Sequence, residues 1–342
     1  MAQTNNNKIA MFSAKKYWDK HFESVSGIDK YKITNIDAQL NENTASLAKG
    51  HTAVCPFVND VVDDKTLHIL HQGGTRVLLL RSTGFNHVNL KVAQDLGMTV
   101  MHVPGYSPAS IAEYAVAMML TLNRRLIKAS RRVFEGNFEL SSLDGFEMNG
   151  KTVGVCGTGN IGMILCRILM GFGCKVIAYD VRENPECIKM GVKYVSLEEI
   201  WAQSDIISLH VPLLKDTKHM INPTTIDKMK NNVMIINTSR GGLVDTKAVI
   251  KGIKSGKIGY LGLDVYEEEA DLFFEDKSET IIQDDKLARL TTFCNVLVTG
   301  HQAWFTNKSL DEICKTTINN FASFLSGNAT KANVVEYKPI SN

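Results

Sequence analysis

Thr152-Val153-Gly154-Val155-Cys156-Gly157-Thr158-Gly159-Asn160-Ile161-Gly162-Met163-Ile164-Leu165-Cys166-Arg167-Ile168-Leu169-Met170 is the stretch that decides the fold. Its apolar run Thr152–Cys156 reads as a strand and Met163–Met170 as a helix. Gly157 to Gly162 between them fit G-x-G-x-x-G. Three glycines in six residues recur in ordinary turns, so it is the strand before and the helix after that give them meaning. In that setting Gly157 permits a tight turn, Gly159 lets the backbone approach a pyrophosphate, and Gly162 lets helix and strand pack closely. Asn160 and Ile161 open the helix, whose free N–H groups offer partial positive charge to phosphates. These five residues are therefore the expected phosphate contacts. A second apolar strand, Lys175–Tyr179, ends in Asp180. A carboxylate there accepts ribose hydroxyls and repels a 2′-phosphate, which favours NAD. Arg182, two residues on, is the residue type that accommodates a 2′-phosphate, and it keeps NADP open.

Further strands are expected at Ile206–His210, Val233–Asn237, Leu261–Val265 and Asn295–Thr299, with helices between most of them. Strand–helix alternation at this spacing implies a parallel sheet, and ligands of such sheets sit beyond the carboxyl ends of the strands. Those ends carry Thr238-Ser239-Arg240, Asp264 with Glu267-Glu268-Glu269, and His301. An Arg, an acid and a His on one rim suit hydride chemistry on a 2-oxo acid. Arg240 can hold a carboxylate as a bidentate fork. His301 can protonate the carbonyl oxygen, and a carboxylate beside it favours its charged form near neutral pH. Singly, each has a bland reading: a structural His, a solvated acidic face, an Arg at a helix end. Only their conjunction reverses that. His210, before Val211-Pro212, reads as a loop-former beside the cofactor, and Cys156 and Cys166 as small core residues.

The N-terminal third repeats the alternation, with strands at Lys8–Ser13, Tyr31–Ile36, His51–Phe57, Arg76–Arg81 and Met98–Val103 and a helix at Leu90–Leu96. Pro104-Gly105-Tyr106-Ser107-Pro108 breaks it, and one long helix, 109–134, is expected next, with Arg124, Arg125, Lys128, Arg131 and Arg132 on its solvated or subunit-facing side. The tail Asn307–Leu325 is helical and too short to be a domain, so the chain is expected to leave the first lobe near residue 105 and return near 300. The fold class is α/β, two doubly wound parallel-sheet lobes.

Composition excludes several classes. In 342 residues, 38 Lys+Arg against 36 Asp+Glu give a net charge of +2, no electrostatic case for nucleic acid or an anionic membrane. With 44% hydrophobic residues the chain is not disordered. Seven cysteines without a C-x-x-C pair argue against disulfides and a zinc site, so no metal is expected. The polar N-terminus is no signal peptide, and no apolar run reaches the ~18 residues of a membrane helix. A soluble, cytoplasmic protein is expected.

At this point the sequence resembles the D-2-hydroxyacid dehydrogenase family and, within it, the fermentative D-lactate dehydrogenases. The resemblance runs over nearly the whole chain. It is carried by Phe57-Val58-Asn59-Asp60, Arg81-Ser82-Thr83-Gly84-Phe85-Asn86, Pro104-Gly105-Tyr106-Ser107-Pro108, the phosphate turn and Asn237-Thr238-Ser239-Arg240-Gly241. It is most specific in Leu263-Asp264-Val265-Tyr266-Glu267, in Asp271-Leu272-Phe273-Phe274-Glu275-Asp276-Lys277-Ser278 and in Gly300-His301-Gln302-Ala303. It implies a Rossmann NAD-binding domain (105–300) inserted into a flavodoxin-like substrate domain (1–104 and 301–342), the two closing over a cleft. It implies reduction of pyruvate to D-lactate with NADH. Arg240 would bind the substrate carboxylate, His301 act as acid, and Glu269, rather than Glu267 or Glu268, partner His301. Thr83 and Gly84 would receive the carboxylate on their amides, and Tyr106 close on the substrate. Asp264 would lie near the nicotinamide, and His210, Val211, Pro212, Thr217, Thr238, Ser239 and Arg240 would also line the cofactor. Trp304-Phe305 departs from the commonest pattern. A bulky pair there narrows the pocket toward a methyl side chain, though Trp304 could also meet an aromatic substrate. A homo-oligomer, dimer or tetramer, is implied, with the 109–134 helix as the candidate surface. The competing readings are a larger 2-oxo acid such as phenylpyruvate or a branched-chain acid, and a NAD-sensing co-repressor-like protein, for which the Arg–Glu–His set would be superfluous.

Overall fold

The computed structural model describes residues 7–269 and 272–337. Asp271, at the head of the acidic-aromatic motif, and the chain's first six and last five residues lie outside them. The chain divides into two compact units, one running up to Ser107 and resuming at Phe305, the other spanning Pro108–Trp304.

In the first unit, β1 (Lys8–Met11), β2 (Lys32–Asn35), β3 (Ala53–Cys55), β4 (Val77–Leu79) and β5 (Thr99–Met101) form a parallel sheet in the order β2-β1-β3-β4-β5. That is the flavodoxin-like order, with its switch point between β1 and β3. The central strands β3 and β4 are buried throughout, which is why they read as continuous apolar runs rather than alternating ones. Helix Asn307–Leu325 packs in this unit, capped by Thr306, whose Oγ1 accepts the Ser309 N–H, and buries Leu310, Ile313, Cys314, Ile318 and Phe321. At the carboxyl edge of the sheet Arg81 is 1% exposed. Its guanidinium donates to the Phe12 carbonyl at 2.5 Å and lies 5.1 and 5.2 Å from the ring centres of Trp18 and Phe57. Burial raises the nearby Asp60 carboxyl, against hydrogen bonds from Ser13, Phe57 and Leu40 and the Arg81 charge. A buried cation is tolerable only with such partners, and these tie three loop starts together.

In the second unit, β6 (Thr152–Cys156), β7 (Lys175–Tyr179), β8 (Lys193–Tyr194), β9 (Ile206–Leu209), β10 (Val233–Asn237), β11 (Ile258–Leu263) and β12 (Val296–Val298) form a parallel sheet in the order β12-β11-β10-β9-β6-β7-β8. It is doubly wound about a switch point between β6 and β9, the Rossmann arrangement. Helices cover both faces; Asn160–Gly171 buries Leu165, Cys166 and Leu169.

Two expectations fail locally. The long helix 109–134 is two helices, Pro108–Asn123 and Leu126–Phe134, broken where Arg125 takes a left-handed φ of +48°. The buried Asn123 side chain, turned to the backbone of Phe146, holds the break. The apolar period continues across it because Leu126, Ile127, Val133 and Phe134 remain apolar although exposed. The two-residue edge strand β8 escaped notice because nothing that short carries a period. Among the described residues, no helix is long and apolar enough to cross a membrane. All seven cysteines are free, and only Cys294 is exposed.

His87 in the first unit and His210 in the second each have a buried, unpartnered ring nitrogen, and desolvation pushes each down to about 4. The folded value lies below the unfolded ~6.5, so the fold keeps both rings neutral. Their contribution is complete above pH 6.5 and is lost as pH falls toward 4, roughly 2–4 kcal/mol for each. Urea unfolding at pH 7, 5.5 and 4.5 should show this decline. A flat series would mean the rings are hydrated.

Candidate active site

The carboxyl ends of the second sheet bear, in spatial order, Asp180 after β7, the phosphate turn after β6, His210 after β9, Arg240 after β10, Glu269 beyond β11 and His301 beyond β12. With strands ~4.8 Å apart, these six ends span roughly 24 Å of rim.

The glycines of the phosphate turn differ in what surrounds them. Gly157 has φ +94°, and a Cβ on it would lie 2.4 Å from the His210 carbonyl oxygen. A Cβ on Gly162 would sit 1.9 Å from the Gly157 oxygen. A Cβ on Gly159 would meet nothing within 4 Å. Turn and packing account for the first and third; the open space at the second fits a pyrophosphate at the start of Asn160–Gly171. Asp180 closes the far end, its Oδ2 accepting the Thr158 N–H at 2.6 Å. The His210 ring meets Ser208 at 2.8 Å. Pro212 and Thr217 shape the loop after Val211, with Thr217 Oγ1 donating to the Pro212 carbonyl at 2.6 Å. Ser239 donates to the Leu209 carbonyl, and Thr238 is buried. NAD therefore meets a complementary surface on this rim.

At the other end, the Glu269 carboxylate lies 2.9 Å from His301 Nδ1 and accepts the Tyr266 N–H at 2.8 Å. The ring is thus oriented through Nδ1, the opposite nitrogen from Nε2. The Phe274 ring centre lies 5.8 Å from that of the imidazole, the planes tilted by 37°, a reason for the acidic-aromatic motif to matter here. His301 itself has φ +54°, a conformation unfavourable for a residue with a Cβ. Asp264 holds it there. Wholly buried, it accepts from Thr299 Oγ1 at 2.6 Å, Gln302 N at 2.9 Å and Ala303 N at 2.8 Å, while its carbonyl accepts the His301 N–H at 2.7 Å. Asp264, expected near the nicotinamide, also supports this turn, the three donors filling three of the about four lone-pair sites of its carboxylate. Trp304 is buried, and its Nε1 donates to the His301 carbonyl at 2.9 Å.

Arg240 is half-buried, its Nη1 on the Ser239 carbonyl at 2.7 Å. Asn237 shapes this loop, donating to the Arg240 carbonyl and accepting the Ser239 N–H. The three acids of 267–269 separate cleanly. Glu268 meets Lys286 at the surface. Glu267 pairs with His219 at 2.5 Å and accepts Thr246 Oγ1 at 2.9 Å. Burial works against the Glu267 charge, but these two partners hold its carboxyl below the usual range. Gly241 lies so close to Tyr266 and Glu267 that no side chain fits, so the loops of Arg240 and Glu269 are braced against each other. Sequence reasoning missed His219, which lies 48 residues from Glu267 in the chain, and gave Asn237 only as part of a motif, without its role in shaping the loop.

In the first unit, Thr83 and Gly84 follow β4. The Thr83 carbonyl is bonded by His102 Nδ1 at 2.8 Å, and Ser82 Oγ donates to the Gly84 carbonyl at 2.7 Å. His102 is a support of that loop. Tyr106 lies just before Ser107, where this unit ends its first pass.

Residues 116–303 match the family described as D-isomer specific 2-hydroxyacid dehydrogenase, NAD binding domain. The D-lactate dehydrogenase of Escherichia coli is 46% identical over 320 residues, 94% of this chain and 97% of that one. The structure identifying the pyruvate reductase of Chlamydomonas reinhardtii superposes with a TM-score of 0.91 at 41% identity, covering 96% of this chain and 98% of that one. The Aquifex aeolicus D-lactate dehydrogenase complexed with NAD and lactic acid superposes with a TM-score of 0.84 at 34% identity, covering 96% and 99%.

Proposed function

The chain belongs to the D-isomer specific 2-hydroxyacid dehydrogenase family, and from that premise we propose that it is an NAD-dependent D-lactate dehydrogenase reducing pyruvate to D-lactate. The observation that carries the chemistry is the 2.9 Å pairing of His301 with Glu269 at a strand end beside that of Arg240. Bound NADH supplies the hydride. Arg240 fixes the substrate carboxylate and polarises the carbonyl. His301 delivers its proton from Nε2 to the carbonyl oxygen, and Glu269 stabilises the imidazolium until it does. Phosphates would rest on Gly157, Gly159, Asn160, Ile161 and Gly162, with Asp180 on the adenosine ribose. Thr83, Gly84 and Tyr106 are assigned to the substrate, which makes the first unit the substrate domain and the second the NAD domain. Trp304 is assigned to limiting the substrate side chain to a methyl group. The cell compartment proposed is the cytoplasm.

A homo-oligomer, dimer or tetramer, is proposed through the arm after Asn123. Leu126–Phe134 has no buried residue, and Phe134, Phe138 and Leu140 are 90%, 74% and 79% exposed. Apolar area of that extent fits a subunit contact.

NADH oxidation with pyruvate tests the reading, and kcat/KM over a series of 2-oxo acids separates pyruvate from phenylpyruvate and branched-chain substrates. In Glu269→Gln the neutral amide no longer favours the imidazolium. Reduction at neutral pH should fall on the order of tenfold, about 1.4 kcal/mol of barrier. An undiminished kcat would remove Glu269 from the mechanism.

A further inference from the structure

We propose that a directed hydrogen-bond relay, Asn184 to Tyr194 to Thr158 to Asp180, sets the strength of the preference for NAD over its 2′-phosphorylated form. The inference rests on the NAD-dependent reading and goes beyond the presence of Asp180. The Asn184 N–H donates to Tyr194 Oη at 2.8 Å. Tyr194 Oη–H donates to Thr158 Oγ1 at 2.7 Å, and Thr158 Oγ1–H donates to Asp180 Oδ2 at 3.2 Å. The Thr158 N–H reaches the same oxygen at 2.6 Å, and the Arg182 N–H reaches Oδ1 at 3.1 Å. Asn184 Nδ2 closes the loop on the Thr158 carbonyl at 2.8 Å.

Each hydroxyl has one proton, and both protons point toward the negative charge, so the bonds polarise one another in one direction. Burial raises the Tyr194 hydroxyl, which therefore remains a donor at neutral pH. Thr158 is only 2% exposed, so water does not compete for its hydroxyl. A carboxylate has about four lone-pair sites. Three of those on Asp180 are taken by protein donors, both on Oδ2 and one on Oδ1. One site remains, on Oδ1, and it suits a ribose hydroxyl. A 2′-phosphate would need the carboxylate to swing away so that the exposed Arg182 could take its place. The two bonds from Thr158 prevent that swing. Tyr194 and Thr158 are thus positioning residues: they convert an acid that could rotate into a fixed negative charge. This also decides between the opposed signals of Asp180 and Arg182 in the sequence.

The test is Tyr194→Phe, which removes one oxygen and leaves the ring. Dissociation constants for NADH and NADPH, read by quenching of protein fluorescence, and kcat/KM for each with pyruvate, would be measured beside the wild type. The expected result is a fall in the NADH:NADPH ratio of about threefold to tenfold, the span of one neutral hydrogen bond, with the pyruvate KM unchanged. Thr158→Ser, which keeps the donor, should hold the wild-type ratio, and Thr158→Val should lower it as Tyr194→Phe does. If both dinucleotides weaken by one common factor, or neither changes, the relay is merely structural and the proposal falls. If the wild type fails to oxidise NADH with pyruvate, the functional reading fails, while the binding ratio still decides the relay.

Discussion

Replacing His301 with glutamine will lower kcat for pyruvate reduction by about 10²- to 10⁴-fold, the range of a positioned acid, while NADH binding remains close to wild type. The amide keeps a hydrogen-bonding group near the substrate oxygen but has no proton to give. Stopped-flow traces at saturating NADH and pyruvate would place the loss in the chemical step, and fluorescence titration would show the cofactor still bound. The residues proposed to hold the phosphates and the adenosine ribose sit at the ends of β6 and β7, on the far side of Arg240 from His301, so the two effects should separate. A variant retaining more than a tenth of the wild-type kcat would assign the proton to another group.

The second large effect belongs to Arg240. In Arg240→Lys the charge persists, but the fork that matches both carboxylate oxygens is gone. A charge-assisted bond contributes about 1.5–3 kcal/mol, so the KM for pyruvate should rise roughly ten- to a hundredfold at saturating NADH. The loop itself should keep its shape, because Asn237 holds the Arg240 backbone rather than its side chain. A normal KM would put the carboxylate elsewhere.

The site was legible in sequence wherever its physics is local. The turn at Gly157–Gly162 carries its own requirements, and β6, β7 and β10 have the bounds their apolar runs give. The helix Asn307–Leu325 was equally plain from its period. What escaped depends on contacts distant along the chain. The break at Arg125 answers to Phe146, and the partners that occupy Glu267 and Glu268 are His219 and Lys286, whereas Glu269 as the partner of His301 came from the family resemblance. Only the fold brings those partners together. Asp264 shows the same limit, since its strand-end position gave no sign of the three donors from the turn before Trp304 that its carboxylate accepts.

The left-handed backbone of His301 sets fitness for heat against fitness for work. A non-glycine residue in that conformation costs about 1–2 kcal/mol. The residue best suited to the backbone is glycine, with asparagine next, and neither could perform the proton transfer proposed for His301. Any lineage selected for thermal endurance alone has a downhill step available at position 301 that would remove the proposed acid. Improving the durability of this protein therefore has to begin elsewhere in the chain, with that one discomfort left in place.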